Sequence, residues 1–390
     1  MKRLTYLLTG CFCFVFWGCV TEYEAKGIKE EKNILVVEGM ITEGESYITL
    51  SRSINLTDDN PTSVIYVDNA VVCIESDDGK VVCANNNAGQ RYGRYTLPVG
   101  KLNFDRKYRL KIEILEDDYS ADCTVGTDGL LQCPKELIEY ATPYMSPILT
   151  PEIDSVFWTK KSLGQMVNIH VATHSPDNEV LYYRWSYKED WEIHSDVYSG
   201  VDFTYPFYCW NKENNKNLLI GSAEKTVFGK VTDIITEMHP SSRKLEVLYR
   251  IIVKQNAISK RAYDYYANIK KNTQQTSDIF APIQSELRGN ITCHTDPSKP
   301  VIGYVDVSTT TEKIRFIYPT ERAYEYSNRP WSCTEVMKDS LLEWYTFIPE
   351  YFVPFYYGYD ENLNMRLFYI FNQCIDCTKF GTTIKPEDWP

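Results

Sequence analysis

The chain has 390 residues, with 41 Lys and Arg against 53 Asp and Glu, a formal net charge of −12. A composition that is 43% hydrophobic and 24% charged belongs to a folded globular protein and excludes a polytopic membrane protein or a disordered chain. The acidic balance argues against nucleic-acid binding, which needs a basic surface to displace counterions.

Met1-Lys2-Arg3 is a positive start, followed by a largely apolar stretch from Leu4 to Trp17. That stretch is shorter than the roughly 20 residues a membrane-spanning helix needs. It matches the apolar region of a secretory signal. It closes on Gly18-Cys19, and here the chain resembles a bacterial lipoprotein signal, in which the cysteine is lipidated and becomes the new N-terminus. The resemblance implies that residues 1–18 are removed and that Cys19 carries the lipid. Only Lys2 and Arg3 leave as charges, so −12 becomes −14 on the processed side chains. Residues 19–32 are polar and read as a tether, with Glu22 and Glu24 close to the anchor. The expected location is the outer membrane, lipid-anchored and facing the cell surface, with the periplasmic face as the alternative.

Short β-rich runs follow, separated by turn residues. They are Ile34 to Ile41, Tyr47 to Ser51, Val64 to Ile74, Val81 to Cys83, Arg91 to Leu97 and Tyr108 to Leu115. In the last, Tyr108, Leu110, Ile112 and Ile114 alternate with Arg109, Lys111 and Glu113, the period of a half-buried strand. This pattern predicts a mainly β protein that begins with an immunoglobulin-like or transthyretin-like β-sandwich over 33–148. Pro143, Pro147 and Pro151 mark a junction. A larger β-rich domain with one or two helices is expected over 149–390. Its strands are placed at 157–158, 167–171, 181–187, 218–220, 245–253, 302–307 and 313–318. After Ser259, a good N-cap, the spacing of Ala262, Tyr265, Tyr266 and Ile269 predicts a helix over about 259–272. A second helix is expected over Thr334 to Tyr345.

Nine cysteines remain after Cys19. Cys73/Cys83 and Cys123/Cys133 each span ten residues across a turn-like stretch, which suits a bridge across a hairpin. Cys374 and Cys377 form a Cys-x-x-Cys in a β-like tail. They read as structural disulfide partners of Cys209, Cys293 or Cys333, rather than as a redox pair or half a zinc site. Nine is odd, so at least one thiol is left over.

No His-Glu-x-x-His, nucleophile elbow or phosphate-binding glycine loop occurs, so no catalytic residue, metal site or cofactor is assigned. His170 and His174 are four apart, but on a segment that reads as a strand. The functional signal lies in the aromatics, including 30 tyrosines. One cluster holds Tyr182, Tyr183, Trp185, Tyr187 and Trp191. A second holds Tyr205, Phe207, Tyr208 and Trp210, and a third runs from Tyr351 to Tyr359. Aromatic faces stack on sugar rings and dominate protein contacts. The candidates for ligand or partner contact are Tyr356, Tyr357, Tyr359, Trp185 and Trp191. Tyr356 to Tyr359 is the first choice, because its Pro and Gly neighbours read as a recognition loop.

Several segments together resemble a family of Bacteroidota lipoproteins of unknown function, commonly encoded beside TonB-dependent outer-membrane receptors. They are Leu35-Val-Val-Glu-Gly-Met-Ile-Thr42, Tyr47-Ile-Thr-Leu-Ser-Arg-Ser53, Val67-Asp-Asn-Ala-Val-Val72, Tyr182-Tyr-Arg-Trp185, Tyr208-Cys-Trp210, Arg288-Gly-Asn-Ile-Thr292, Val301-Ile-Gly-Tyr304 and the tail from Cys374 to Trp389. The resemblance implies a non-enzymatic lipoprotein working with a TonB-dependent receptor barrel, as an accessory or substrate-capture subunit. The alternatives are a free-standing glycan or peptide binder or adhesin and, behind it, a secreted hydrolase.

Overall fold

The computed structural model describes residues 33–53, 64–85, 92–117, 124–125, 131–132, 134–177, 179–226, 229–275, 289–321, 323–325, 333–337 and 351–390. Cys19, Cys123 and Cys133 lie outside these residues, as does most of the second expected helix. In chain order the first strands are β1 (Leu35–Met40), β2 (Gly44–Arg52), β3 (Ile65–Tyr66), β4 (Ala70–Ser76), β5 (Val81–Cys83), β6 (Arg94–Gly100), β7 (Tyr108–Asp117), β8 (Thr124–Val125), β9 (Leu131–Gln132) and β10 (Lys135–Ala141). Then come β11 (Ile153–Thr159), β12 (Val167–Thr173), β13 (Tyr182–His194), β14 (Tyr208–Asn214), β15 (Leu219–Ser222), β16 (Val231–Met238), β17 (Tyr249–Ala257) and helix α1 (Lys260–Gln275). The chain closes with β18 (Thr292–Cys293), β19 (Val301–Ile302), β20 (Thr310–Ile317), β21 (Val336–Met337), β22 (Phe352–Tyr359) and β23 (Met365–Phe371).

The protein is mainly β. Two five-stranded sheets face each other in the first body, one ordered β19-β1-β2-β3 with β6 also on β2, the other β18-β10-β7-β4-β5. The alternation in β7 does what the pattern predicts. Leu110, Ile112 and Ile114 point into the core against Val37, Ile48, Leu50 and Tyr95. Each such burial contributes about 1.5–3 kcal/mol. Arg109 and Lys111 point outward, where Arg109 pairs with Glu75 on β4 at 2.6 Å and Lys111 with Glu113 at 2.9 Å.

This sandwich is not built from the first third of the chain alone. β18 pairs with β10, and β19 lies parallel to β1. Ile291, Cys293, Val301, Val305 and Val307 enter the same core. The chain thus leaves the first body near 150 and returns to it between 289 and 307.

In the second body a three-stranded sheet, β11-β12-β16, packs on a five-stranded one, β14-β13-β17-β20 with β15 also on β13. Helix α1 begins where expected, with Ser259 Oγ accepting from Ala262 N at 3.2 Å. Its apolar face, Ala262, Tyr265 and Tyr266, meets Tyr182 of the second body and Met40 of the first, so it pins the two together. Buried Asp306 accepts from Ser259 N at 2.7 Å at the start of this helix, where a negative charge suits the helix dipole. Burial nevertheless pushes its carboxyl above the ordinary carboxylate range.

A third, smaller sheet is ordered β21-β23-β22. Two expectations fail here. Val336–Met337 is a strand paired with β23, not part of a helix. Tyr356 to Tyr359 is strand, not loop. Pro354 and Gly358 give the segment its loop-like sequence, yet the first sits beside a register shift between Pro354 and Tyr356, and the second is needed for ring packing.

Candidate functional site: a clamped aromatic face

One disulfide ties the third sheet to the second body, and another braces the third sheet itself, between the residues before β21 and those after β23. Cys209 on β14 bonds to Cys377, and Cys333 bonds to Cys374, each pair with Cα atoms 5.7 Å apart. The two cysteines of the Cys-x-x-Cys therefore bond to distant partners rather than to each other. Cys73 bonds to Cys83, its direct cross-strand neighbour in the β4–β5 hairpin. Cys293 is not a disulfide partner of the C-terminal pair, contrary to the expectation. It is an unpaired, buried thiol inside the first sandwich, carried there by the β18–β10 pairing.

Within the clamp, residues 195–207 lie against β22. Gly200 makes this possible: a Cβ there would sit 2.5 Å from Phe355 O. Asp196 N and Val197 N donate to Cys374 O at 2.8 and 3.0 Å. Asp202 Oδ2 accepts from Tyr357 N at 2.8 Å, so the loop caps an outward amide of an edge strand. Phe355, Ile370, Cys374 and Ile375 form the small core beneath, with Val197 and Tyr205 packed against it.

The hairpin presents two faces. On one, Tyr356 stacks on Phe368, with centroids 4.8 Å apart and planes 6° apart, and its hydroxyl donates to Glu335 at 2.9 Å. Gly358 leaves room for this stack, since a Cβ there would meet Tyr356 Cε2 at 2.7 Å. The Tyr356 hydroxyl is held above its ordinary pKa by burial and by the Glu335 carboxylate. On the other face Tyr357 lies opposite Leu367, and Tyr359 opposite Met365. Tyr357 is 54% exposed and Tyr359 66%. Phe203 lies 5.9 Å from the Tyr357 ring. Asp360 closes the turn, accepting from Asn362 N and Asn364 N and pairing with Arg366 at 3.1 Å.

The same loop carries a second stack. Tyr198, 65% exposed, lies flat on Phe207 at 3.8 Å, and Phe207 meets Tyr208 and His194 edge-on or tilted. The Tyr208 hydroxyl is raised above its ordinary pKa, chiefly by its bond to Tyr198. The aromatic clusters legible in the sequence include Phe207 and Tyr208 but not Tyr198 or Phe203. Spacing gives no sign that residues 198–203 fold onto a hairpin 150 residues away.

Of the five aromatics singled out, the structure brings Tyr356, Tyr357 and Tyr359 together and removes both tryptophans. Trp185 is 2% exposed and donates to Gln255 Oε1 at 2.7 Å. Trp191 is 8% exposed beneath Lys244, whose Nζ lies 4.8 Å from the ring centroid. Both are core residues, because β13 is paired on both edges and covered by the second sheet. His170 and His174 do not converge: the first bonds to Thr159, the second to Asp154.

Open clefts lie elsewhere. A cleft of about 1060 Å³ between the first sandwich and α1 is lined by Arg109, Tyr144, Arg261, Asp264, His294 and Tyr304, with charges of both signs. The most buried carboxylates are committed to partners. Glu189 binds Lys244 and the Tyr249 hydroxyl, each at 2.6 Å, and Asp190 binds Arg250 at 2.8 Å.

Fold and site define a two-sandwich β protein that carries a disulfide-clamped aromatic hairpin. The chain belongs to the family described as a domain of unknown function, DUF4249, whose model matches residues 20–314. The loop with Tyr198 and Phe203 lies inside the matched span, whereas the hairpin with Tyr357 and Tyr359 lies beyond it. No curated protein matches the chain, and no solved structure does.

Proposed function

We propose that this chain is an exported, lipid-anchored binding protein of the outer membrane. In this reading it serves as a non-catalytic accessory, substrate-capturing subunit of a TonB-dependent transporter. The observation that carries the reading is the clamped aromatic face, on which Tyr198, Tyr357 and Tyr359 stay exposed on a surface tied down by two disulfides. Exposed aromatic patches mark contact sites, and rigid aromatic anchors lose little entropy on binding. Disulfides fit an oxidising compartment. The Gly18-Cys19 signal supplies the lipid, and residues 20–32 the tether. The first sandwich acts as spacer, and the clamped face meets ligand or barrel. The chemistry is binding, in keeping with the ion pairs that hold Glu189 and Asp190, the two most buried carboxylates.

Purification from native membranes tests this. The protein is expected to co-purify with a β-barrel receptor, and Cys19→Ser is expected to move it to the soluble fraction. A monomer free of any barrel, recovered under mild detergent, would count against the accessory role. If that monomer still bound glycan or peptide through the same face, a free-standing binder or adhesin would take its place.

A further inference from the structure

We propose that the aromatic face takes a cationic group, the ammonium or guanidinium of a lysine- or arginine-bearing peptide segment. This rests on the reading of that face as the binding surface. An aromatic ring carries negative potential on its face and attracts a cation set above it. The rings of Tyr357 and Tyr359 are exposed, and Phe203 flanks the first of them.

A carboxylate stands at the same place. Asp202 is held beside Tyr357 by the bond from Tyr357 N to its Oδ2, and its other oxygen has no hydrogen-bond partner among the described residues. Glu361, exposed in the turn, follows Tyr359 by two positions. The cation of the hairpin, Arg366, is already held by Asp360. A cation arriving from outside therefore meets ring faces and a carboxylate together.

The occupant is a peptide rather than a free amine, because the strip continues into Leu367 and Met365 opposite the two tyrosines. Apolar surface of that kind suits the aliphatic stems of Lys and Arg. The chain uses the same pairing internally, with Arg94 at 4.1 Å over Tyr47 and Arg243 at 4.0 Å over Phe380.

The test is calorimetric titration of the protein with an octapeptide of alternating Gly and Lys, its Nε-acetylated counterpart, and cellohexaose. The lysine peptide is expected to bind, with acetylation weakening it about tenfold or more. Tyr357→Ala is expected to weaken it about five- to tenfold, in the range of a cation–π contact, while Tyr357→Phe keeps most of the affinity. Asp202→Asn, which keeps the acceptor for Tyr357 N but removes the charge, is expected to weaken it several-fold. Equal binding of the acetylated peptide would overturn the cationic ligand. So would binding of cellohexaose alone, lost in Tyr357→Ala, which would leave the face itself standing as the binding surface. Lysine-peptide binding untouched by the Tyr357→Ala and Tyr359→Ala pair would overturn both.

Discussion

The first sandwich and the C-terminal clamp solve the same problem in opposite ways. The sandwich buries a broad aliphatic core between two five-stranded sheets and pairs charges across an outer face, and its described disulfide spans only ten residues. The clamp has a core of four buried residues and leaves large aromatics in solvent. Its disulfides span 168 and 41 residues. Where burial is scarce, crosslinks supply the order, and surface that would otherwise be buried stays available for contact.

Removing crosslinks gives the largest expected difference between the two regions. Chain-entropy reasoning assigns about 5 kcal/mol to closing a loop as long as that between Cys209 and Cys377, and about 3 kcal/mol to the ten-residue loop. Cys209→Ser with Cys377→Ser is therefore expected to lower the melting midpoint more than Cys73→Ser with Cys83→Ser. Limited proteolysis should then cut first near the clamp. Equal midpoint shifts, or first cuts in the sandwich, would contradict the contrast.

Next in size is the difference between a buried and an exposed aromatic. Trp185→Ala is expected to cost about 3–5 kcal/mol of stability by chemical denaturation, as a large core truncation does. Tyr357→Ala is expected to stay within about 0.5 kcal/mol. A Tyr357→Ala cost as large as that of Trp185→Ala would mean that the face is core. Gly358→Ala lies between these two. Its Cβ would press on the Tyr356–Phe368 stack, and overpacking of that kind costs about 1–3 kcal/mol. The loss should show as a changed near-ultraviolet circular dichroism signal from the tyrosines.

The smallest expected effect is one of pH. Bonds from Asn364 N, then the Arg366 guanidinium and Asn362 N, hold the Asp360 carboxyl below its ordinary value. A group depressed in the folded state stabilises fully above its unfolded pKa, near 4 for Asp. That contribution is lost as pH falls through the depressed folded value. Protection of the β22–β23 turn amides, taken relative to their intrinsic exchange rates, should therefore fall below about pH 4 in the wild type. Asp360→Asn should exchange faster at neutral pH and flatten the dependence. A turn whose protection is indifferent to acid would remove Asp360 from the account.

Much of the first body is legible in the sequence, because its information is local. The alternation from Tyr108 to Ile114 names the inward face, and the facing positions of Cys73 and Cys83 follow from a short turn. The start of α1 is marked by Ser259 and an apolar spacing of three and four. What is not legible depends on distance along the chain. Nothing local says that Thr292–Cys293 pairs with β10, or which cysteine meets Cys374. Period two also cannot say whether the far face of β13 is covered, so Trp185 and Trp191 resemble Tyr357 and Tyr359 until the second sheet is placed. Pro354 and Gly358 concealed a strand, because breakers at an edge strand are tolerated.

The central claim is that the clamped aromatic face, and not the sandwich, meets the partner. Hydroxyl-radical footprinting in native membranes, set against the purified protein, tests it directly. The account predicts that Tyr198, Tyr357 and Tyr359 become protected in the membrane sample while Tyr47 and Tyr92 on the sandwich stay reactive. Protection of Tyr47 and Tyr92 alone, with the clamp equally reactive in both samples, would contradict it.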